Sequence, residues 1–360
     1  MTSPAGAGGC PRGPRLCDLT EAEVLARIIP RLPRGRSTLL GPGDDAAVIA
    51  VPGGRALVTT DMLVEDRHFR RAWSSGADIG WRAAMQNLAD IAAMGAHPHA
   101  LVVALAAPGE TEVRWLVDLA DGLAEAAALH GVGVVGGDLS GGDRVVVAVT
   151  AFGACDGVEP VTRSGARPGD VLALAGSTGW SAAGLAALEA GVDVTATGGV
   201  TRRAVTAFRR PRPPIEAGAL AAGGGARAML DISDGLMIDA SRLAEASGAS
   251  VHVDGLAPAL AGPASALSPL AATLGRDPWA WVLTGGEDHA LLATFPAGAS
   301  MPSGFAAIGH ISPPDDAGPR LHIDGNPPMG RHPASLGGWD HFASRREDPT
   351  PEFLAGDLES

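Results

Sequence analysis

The chain has 360 residues and a formal net charge of −13 at pH 7, and its 27 basic residues are all arginine. Length allows one large or two ordinary domains, the acidic balance argues against nucleic acid or an anionic membrane as partner, and no apolar run reaches the roughly 18 residues of a membrane span. Without lysine there can be neither a Walker-type phosphate loop nor a protein-kinase site, and three scattered cysteines (Cys10, Cys17 and Cys155) give no disulfide framework or thiolate spacing, which fits a reducing cytoplasm.

Residues 1–17 are rich in Gly, Pro and Arg and read as a disordered lead-in. Residues 18–33 read as a helix capped by Thr20 with Glu23. Ala46–Val51 and Arg55–Thr60 are strand-like around Pro52-Gly53-Gly54, which predicts a hairpin. That hairpin sets Asp45 opposite Asp61, a like-charge pair that needs a cation between its members or a shifted pKa. A helix over 78–94 ends at Gly95 and Pro98, a strand covers 100–107, and a second helix covers 110–130. A short apolar run, a glycine-rich turn (GGDLSGGD) and a strand (RVVVAVTAFG) complete an α/β or α+β domain over 18–155.

A second α/β domain is expected over 156–343. It runs through a loop and strand (RSGARPGDVLALA), a helix (SAAGLAALEAG) and an extended Pro/Arg segment over 209–216. The strand-to-helix segment MLDISDGL, a strand (VHVDG) and WVLTGGEDHALLATF follow. Residues 344–360 read as a loose acidic tail, and no short-period repeat is present.

The acidic motifs GDD (43–45), TTD (59–61), NLAD (87–90), GGD (136–138), DISDG (231–235) and GGED (285–288) mostly sit where an apolar strand meets a glycine turn. Such places carry ligand-binding loops in α/β proteins. Carboxylates beside hydroxyl and backbone oxygens suit a hard cation such as Mg²⁺ rather than zinc. Taken singly, a Gly-Asp pair is more often a plain turn. Asp90 stands apart, because an aspartate inside an apolar helix is unfavourable without a task, and Asn87 shares its face. Asp234 reads either as a helix N-cap or as a ligand. His68, Arg163 and Trp339 have bland alternatives as a surface or core histidine, a surface arginine and a packed aromatic.

Taken in order, GPGDDAAVI, TTDMLVEDRHF, NLADIAAMGAHP, GGDLSGGD, TRSGARPGD, DISDGL, LTGGEDHALL and GGWDHF resemble the thiamine-monophosphate kinase family. They span residues 41–342. The resemblance implies the two-domain fold of the aminoimidazole-ribonucleotide-synthetase superfamily, with an N-terminal sheet domain that dimerises and a C-terminal α/β domain that completes the site. It implies a cytoplasmic homodimer that uses ATP and several Mg²⁺ ions to convert thiamine monophosphate to thiamine diphosphate by direct in-line transfer. By motif, Asp45, Thr59, Thr60, Asp61, Asp90, Asp138, Asp231 and Asp234 correspond to the metal set. Gly137, Asp138, Arg163 and Ser233 correspond to nucleotide contacts, and His68, Glu287 and Trp339 to thiamine-phosphate contacts. The chain departs from the family pattern at His289 and Ala290, where an aromatic and an acid are usual, and at Asp66, where glycine is usual. The rival readings are a sister ATP-dependent synthetase of the same fold and a nucleotide-binding protein without catalysis.

Overall fold

A computed structural model describes residues 13–42, 46–194 and 199–323. The N-terminal half contains α1 (Glu21–Ile28), β1 (Thr38–Leu40), β2 (Val48–Ile49), β3 (Leu57–Val64), α2 (Gly76–Ala93), β4 (His97–Ala107), α3 (Val113–Leu129), β5 (Gly133–Gly141) and β6 (Val146–Ala154). A four-stranded sheet has the order β3-β6-β4-β5, antiparallel except for β4 beside β5. Ser75 and Asp78 cap α2 reciprocally, each side chain accepting the other's backbone N–H. α2 is buried on nearly every face and packs closely on α3: a Cβ on Gly80 would lie 2.0 Å from the Leu119 carbonyl oxygen.

The C-terminal half contains β7 (Val171–Ala175), α4 (Trp180–Glu189), α5 (Gly199–Arg209), α6 (Ile215–Gly223), β8 (Ala228–Ile232), α7 (Leu236–Ser247), β9 (Ser250–Val253), α8 (Pro258–Leu274), α9 (Pro278–Thr284), β10 (Ala290–Phe295), β11 (Phe305–Ser312) and β12 (Leu321–Ile323). Its six strands have the order β12-β9-β11-β7-β10-β8. One face of this sheet covers α7, α8 and α9. The other contributes Ala173, Met229, Leu291, Ala293 and Phe295 to the core built around α2. Helix α2 is therefore the shared wall between the halves, and the side chains at its surface face both.

Three expectations are corrected. The hairpin does not form: β2 pairs with β1 (Thr38↔Ile49), while β3 pairs along its length with β6 (Leu57↔Gly153 to Val64↔Val146). Pro52–Gly54 instead makes a 3-10 turn, with Gly53 and Gly54 at φ 73° and 72°. The longer register wins because β6 brings buried Val147, Val149 and Ala151 to the ladder, whereas β2 has two residues to offer. The segment GGDLS is strand, not turn: β5 runs through it beside β4, and a Cβ on Gly137 would sit 1.9 Å from the Val103 carbonyl oxygen. Its glycine serves close strand approach. The end of the expected lead-in is tied down, with Leu16 and Cys17 N–H groups donating to Thr111 O and Gly109 O.

Candidate active site

Strand parity decides what β3 presents. Thr59 and Asp61 fall on the face turned to α2, and Thr60 falls on the opposite face. On the inner face Thr59 Oγ1 donates to Asp90 Oδ2 (2.7 Å), and the Asp61 backbone N–H donates to Asn87 Oδ1 (3.0 Å). Asn87 is fully buried, and its amide nitrogen donates to Ala83 O (2.9 Å), so the orientation of its oxygen is fixed. The shared face of Asn87 and Asp90 on α2 is thus the seat of β3 on the helix. On the outer face Thr60 Oγ1 donates to Val149 O (3.1 Å) and accepts from Thr150 Oγ1 (3.1 Å). Asp138 is exposed on β5 on that same outer face, through the register Asp138↔Ala104↔Ala148↔Met62.

From the other half, β8 delivers Asp231 at its C-terminal end. Burial, with the charges of Asp231 and Asp61, pushes the Asp90 carboxyl up to about 7. Three acidic residues from β3, α2 and β8 therefore act on one another across the interface between the halves. Among the described residues, no three acidic, histidine or cysteine side chains converge tightly enough to cage a metal alone.

Beyond Asp231 the chain turns through Ser233, Asp234 and Gly235 into α7. Gly235, at φ 125°, lies against Thr284, where a Cβ would meet the carbonyl oxygen at 2.6 Å. Asp234 is not the N-cap of α7. Gly235 holds that place with no side-chain cap, and Asp239 Oδ2 instead accepts the N–H groups of Asp234 (3.0 Å) and Gly235 (3.1 Å) in the turn before the helix. Arg242 Nη1 bridges Asp234 Oδ2 (2.6 Å) and Asp239 Oδ1 (2.7 Å). Burial and the Asp234 charge push Asp239 up to about 7.

The GGED loop packs on this turn. Glu287 N–H donates to Ser233 O (2.8 Å), and His289 N–H donates to Ile232 O (3.1 Å). Asp288 turns away and caps α4, accepting the N–H groups of Gly179 (2.6 Å) and Ser181 (2.9 Å); burial pushes it up to about 7 against those donors. Glu287 Oε2 receives Arg82 Nη2 (2.5 Å) and Nε (3.2 Å) from α2. Arg82 also donates to His68 O (3.0 Å) and lies over Phe208. Burial would raise Glu287, but the Arg82 and His289 charges and the Arg82 hydrogen bonds hold it below the usual carboxylate range. His68 Nδ1 accepts the Val64 N–H (2.9 Å), which leaves the ring proton on Nε2. His289 Nδ1 lies 3.0 Å from Asp231 Oδ2. Burial would lower its pKa, but that bond and the Asp231, Glu287 and Asp90 charges raise it to about 9.

The structure thus gathers Thr59, Asp61, Asp90, Asp231, Ser233, Asp234, His68 and Glu287 along one interface. It sets Thr60 and Asp138 on the outer sheet face, with Gly137 beside Asp138 on β5. Arg163 is exposed in the loop before β7, where its carbonyl accepts from Ser247 Oγ (2.8 Å). Asp45 and Trp339 lie outside the described residues. Sequence reading missed Arg82, Asp239 and the capping role of Asp288. A buried arginine in an apolar helix was the available signal for the first, since such a charge needs a partner.

Family models match both halves. Residues 43–155 match the AIR synthase related protein N-terminal domain, and residues 167–280 match the AIR synthase related protein C-terminal domain. The thiamine-monophosphate kinase of Mycobacterium tuberculosis is 45% identical over 329 residues, covering 91% of this chain and 93% of that protein. The thiamine-monophosphate kinase of Corynebacterium glutamicum is 43% identical over 304 residues, covering 83% and 88%. The solved structure of AaThiL complexed with AMPPCP and TMP superposes with a TM-score of 0.70 at 28% identity, covering 80% of this chain and 87% of that one. Two matched domains, and relatives aligned over nearly the whole length, place the chain in the thiamine-monophosphate kinase family of AIR synthase related proteins.

Proposed function

We propose that the protein transfers the γ-phosphoryl group of ATP to thiamine monophosphate, giving thiamine diphosphate and ADP. An oxygen of the acceptor phosphate attacks the γ-phosphorus in line, and the bond from that phosphorus to the bridging oxygen of ADP breaks. The observation that carries the reading is the acidic group of Asp61, Asp90 and Asp231, drawn from both halves, where burial first and then the charges of Asp231 and Asp61 raise Asp90 to about 7. Charges kept together at that cost fit a site that receives cations along with phosphates. The reading is supported by membership in the family and by a neighbour solved with AMPPCP and TMP.

The donor set is all oxygen, which suits Mg²⁺ sharing its ligands with substrate phosphates. Asp61, Asp90, Asp231 and Thr59 would hold it, with Asp45 and Asp234 as further ligands; Thr60 and Asp138 would join from the outer sheet face through a partner copy or their main chain. When bound, Mg²⁺ neutralises charge on the transferring phosphoryl group. Asn87 holds β3 in register so that Asp61 keeps its place, and Thr59 orients the Asp90 carboxylate. Arg82 holds the Glu287 carboxylate toward the thiamine side, where His68 and Trp339 would also bind. Gly137, Arg163 and Ser233 would contact the nucleotide.

We propose a homodimer through the outer face of the four-stranded sheet. Val58 and Met62 are 59% and 55% exposed there, beside part-buried Ala148 and Phe152. Among the described residues no helix is long and apolar enough to cross a membrane, which is compatible with a cytoplasmic enzyme. The deciding experiment supplies purified protein with ATP, Mg²⁺ and thiamine monophosphate, with thiamine as control. Thiamine diphosphate formed from the monophosphate alone, with one ADP per product, is expected. ATP binding without that product would move the reading to a sister synthetase or a non-catalytic protein.

A further inference from the structure

Helix α4 starts without a cap from its own segment. Its N-cap, Gly179, stands at φ 90° and has no side chain to offer. The hydroxyls of Thr178 and Ser181 on either side are buried and, among the described residues, without a hydrogen-bond partner. The N–H groups of Gly179 and Ser181 go instead to Asp288, more than a hundred positions on, which takes one on each carboxylate oxygen (2.6 and 2.9 Å). A helix start is ordinarily satisfied by the residue before it, so this contact holds the loop that brings Asp288. That loop is strained and tightly enclosed. Glu287 and His289, on either side of Asp288, have left-handed φ of 70° and 52°, unfavourable for both side chains. Their N–H groups are held by Ser233 O (2.8 Å) and Ile232 O (3.1 Å). A Cβ on Gly285 would stand 2.6 Å from Ala182 Cβ of α4, and one on Gly286 2.4 Å from Ser233 O. The loop therefore fills the space between α4 and the turn at Ser233. Strain of this kind persists where the surroundings over-determine it, and it clusters at ligand sites.

Resting on the kinase reading above, we propose that Asp288 is a positioning residue: by anchoring the loop to the start of α4 it fixes the strained turn that sets the Glu287 carboxylate at the thiamine side of the acceptor. Arg82 takes one oxygen of that carboxylate, Oε2, through both Nε and Nη2. A carboxylate held at one oxygen can still swing about it, so its direction depends on where the Glu287 backbone stands. Two N–H groups of a helix start, closed on the side chain of the next residue, leave that backbone little freedom. Asp288 itself is turned to α4, and its effect on the acceptor passes through Glu287. The grip matters because a small displacement of a substrate-positioning group is costly to binding and turnover.

Asp288→Asn keeps the size of the side chain but sets an amide nitrogen against one of the two N–H groups. Its KM for thiamine monophosphate should rise about tenfold to a hundredfold, while kcat at saturation and the KM for ATP stay within about twofold of wild type. Glu287→Gln should raise the same KM. The double variant separates positioning from general support. If Asp288 acts through Glu287, adding Asp288→Asn to Glu287→Gln should change the KM by no more than about twofold. A double variant whose KM carries the product of the two single effects would overturn the inference and leave Asp288 as a helix cap alone. So would a wild-type KM in Asp288→Asn. Should that variant not fold, Ser181→Pro removes one of the two donors from the other partner, in the first turn of α4 where proline is tolerated. The same rise in KM is expected there, and an unchanged KM would overturn the inference equally. Wild-type protein that forms no thiamine diphosphate would overturn the kinase reading and this inference with it, which the product assay registers before any variant is made.

Discussion

The interface between the two halves holds acidic groups in opposite electrostatic states. On one side part-buried Glu287 faces the Arg82 guanidinium and the His289 ring, and its pKa is held down. On the other side burial, with the charges of Asp231 and Asp61, drives the Asp90 pKa up to about 7. The first arrangement is complete within the chain: Arg82 supplies two N–H groups to one carboxylate oxygen and fixes the loop that carries it. In the second, the carboxyl groups act on one another, with Thr59 on Asp90 and His289 on Asp231. A carboxylate held by a cation orients a ligand, and a gathering of carboxyl groups suits a cation. The difference separates residues that position a substrate from residues that recruit a cation.

Breaking the completed pair should give the largest effect. Arg82→Leu leaves the Glu287 carboxylate without its cation in a site where Arg82 is 3% and Glu287 28% exposed. The protein should lose about 2–3 kcal/mol in denaturant unfolding, toward the low end for a broken buried pair because Glu287 retains some water. Adding Glu287→Gln to that variant should recover at least half of the loss. A double variant as unstable as the single one would mean that the packing of Arg82 over Phe208, not the charge, holds the loop.

The Asp90 side should respond with the opposite sign. Asp90→Asn keeps an oxygen for the Thr59 hydroxyl and removes the charge. Turnover should drop on the order of a thousandfold or more, while the metal-free protein gains about 1 kcal/mol at pH 8. The pH dependence follows from the raised pKa. Between the ordinary value of 3.8 and about 7, folded Asp90 keeps a proton that the unfolded chain has released. Stability is therefore lost as pH rises through that window. Asp239 and Asp288, also near 7, contribute in the same direction. Mg²⁺ should raise the unfolding midpoint more at pH 8 than at pH 5.5, and the variant should lose much of that increment. An equal Mg²⁺ effect in Asp90→Asn would remove Asp90 from the cation site.

How far the sequence discloses this arrangement depends on the range of the interactions. Helix α2, the Thr20–Glu23 cap of α1 and the strand before Asp231 rest on local propensity and periodicity, and they are legible; the Ser75–Asp78 cap, just ahead of the helix expected from residue 78, goes unread. So is Asp90, because an aspartate inside an apolar helix is a local anomaly. The partnership of β3 is not legible. A turn-like PGG predicts a hairpin, but the contest between β2 and β6 is settled by which strand brings more buried apolar residues, and β6 lies some ninety positions away. Thr60 is a sharper case. Its place in TTD suggests a ligand equal to Thr59, yet alternation along the strand turns its hydroxyl to the outer face. The Asp234 cap fails for a related reason: Gly235 takes the N-cap place, and Asp239, the fourth residue of α7, reaches back to the N–H groups of Asp234 and Gly235, a return contact that nearest-neighbour rules do not show.

The smallest effect is expected at Asp66, the departure that lies beside the completed side of the site. Its φ of 62° is the left-handed conformation that favours glycine, and its N–H donates to Phe69 O (2.8 Å) across the turn carrying His68. Aspartate is among the few side chains that tolerate this conformation. Its contact with Arg144 (3.2 Å) is exposed on both sides and contributes little. Asp66→Gly relieves about 1 kcal/mol of strain in the folded state and costs a similar amount through the entropy of the unfolded chain. The two should cancel to within about 0.5 kcal/mol. Asp66→Val has no such offset, because a β-branched residue fits the left-handed region poorly, and it should cost about 2 kcal/mol. If the turn serves to present His68, Asp66→Val should also raise the KM for thiamine monophosphate while leaving that for ATP in place. An unchanged KM in a destabilised variant would show that Arg82, through the His68 carbonyl, holds the histidine without help from the turn.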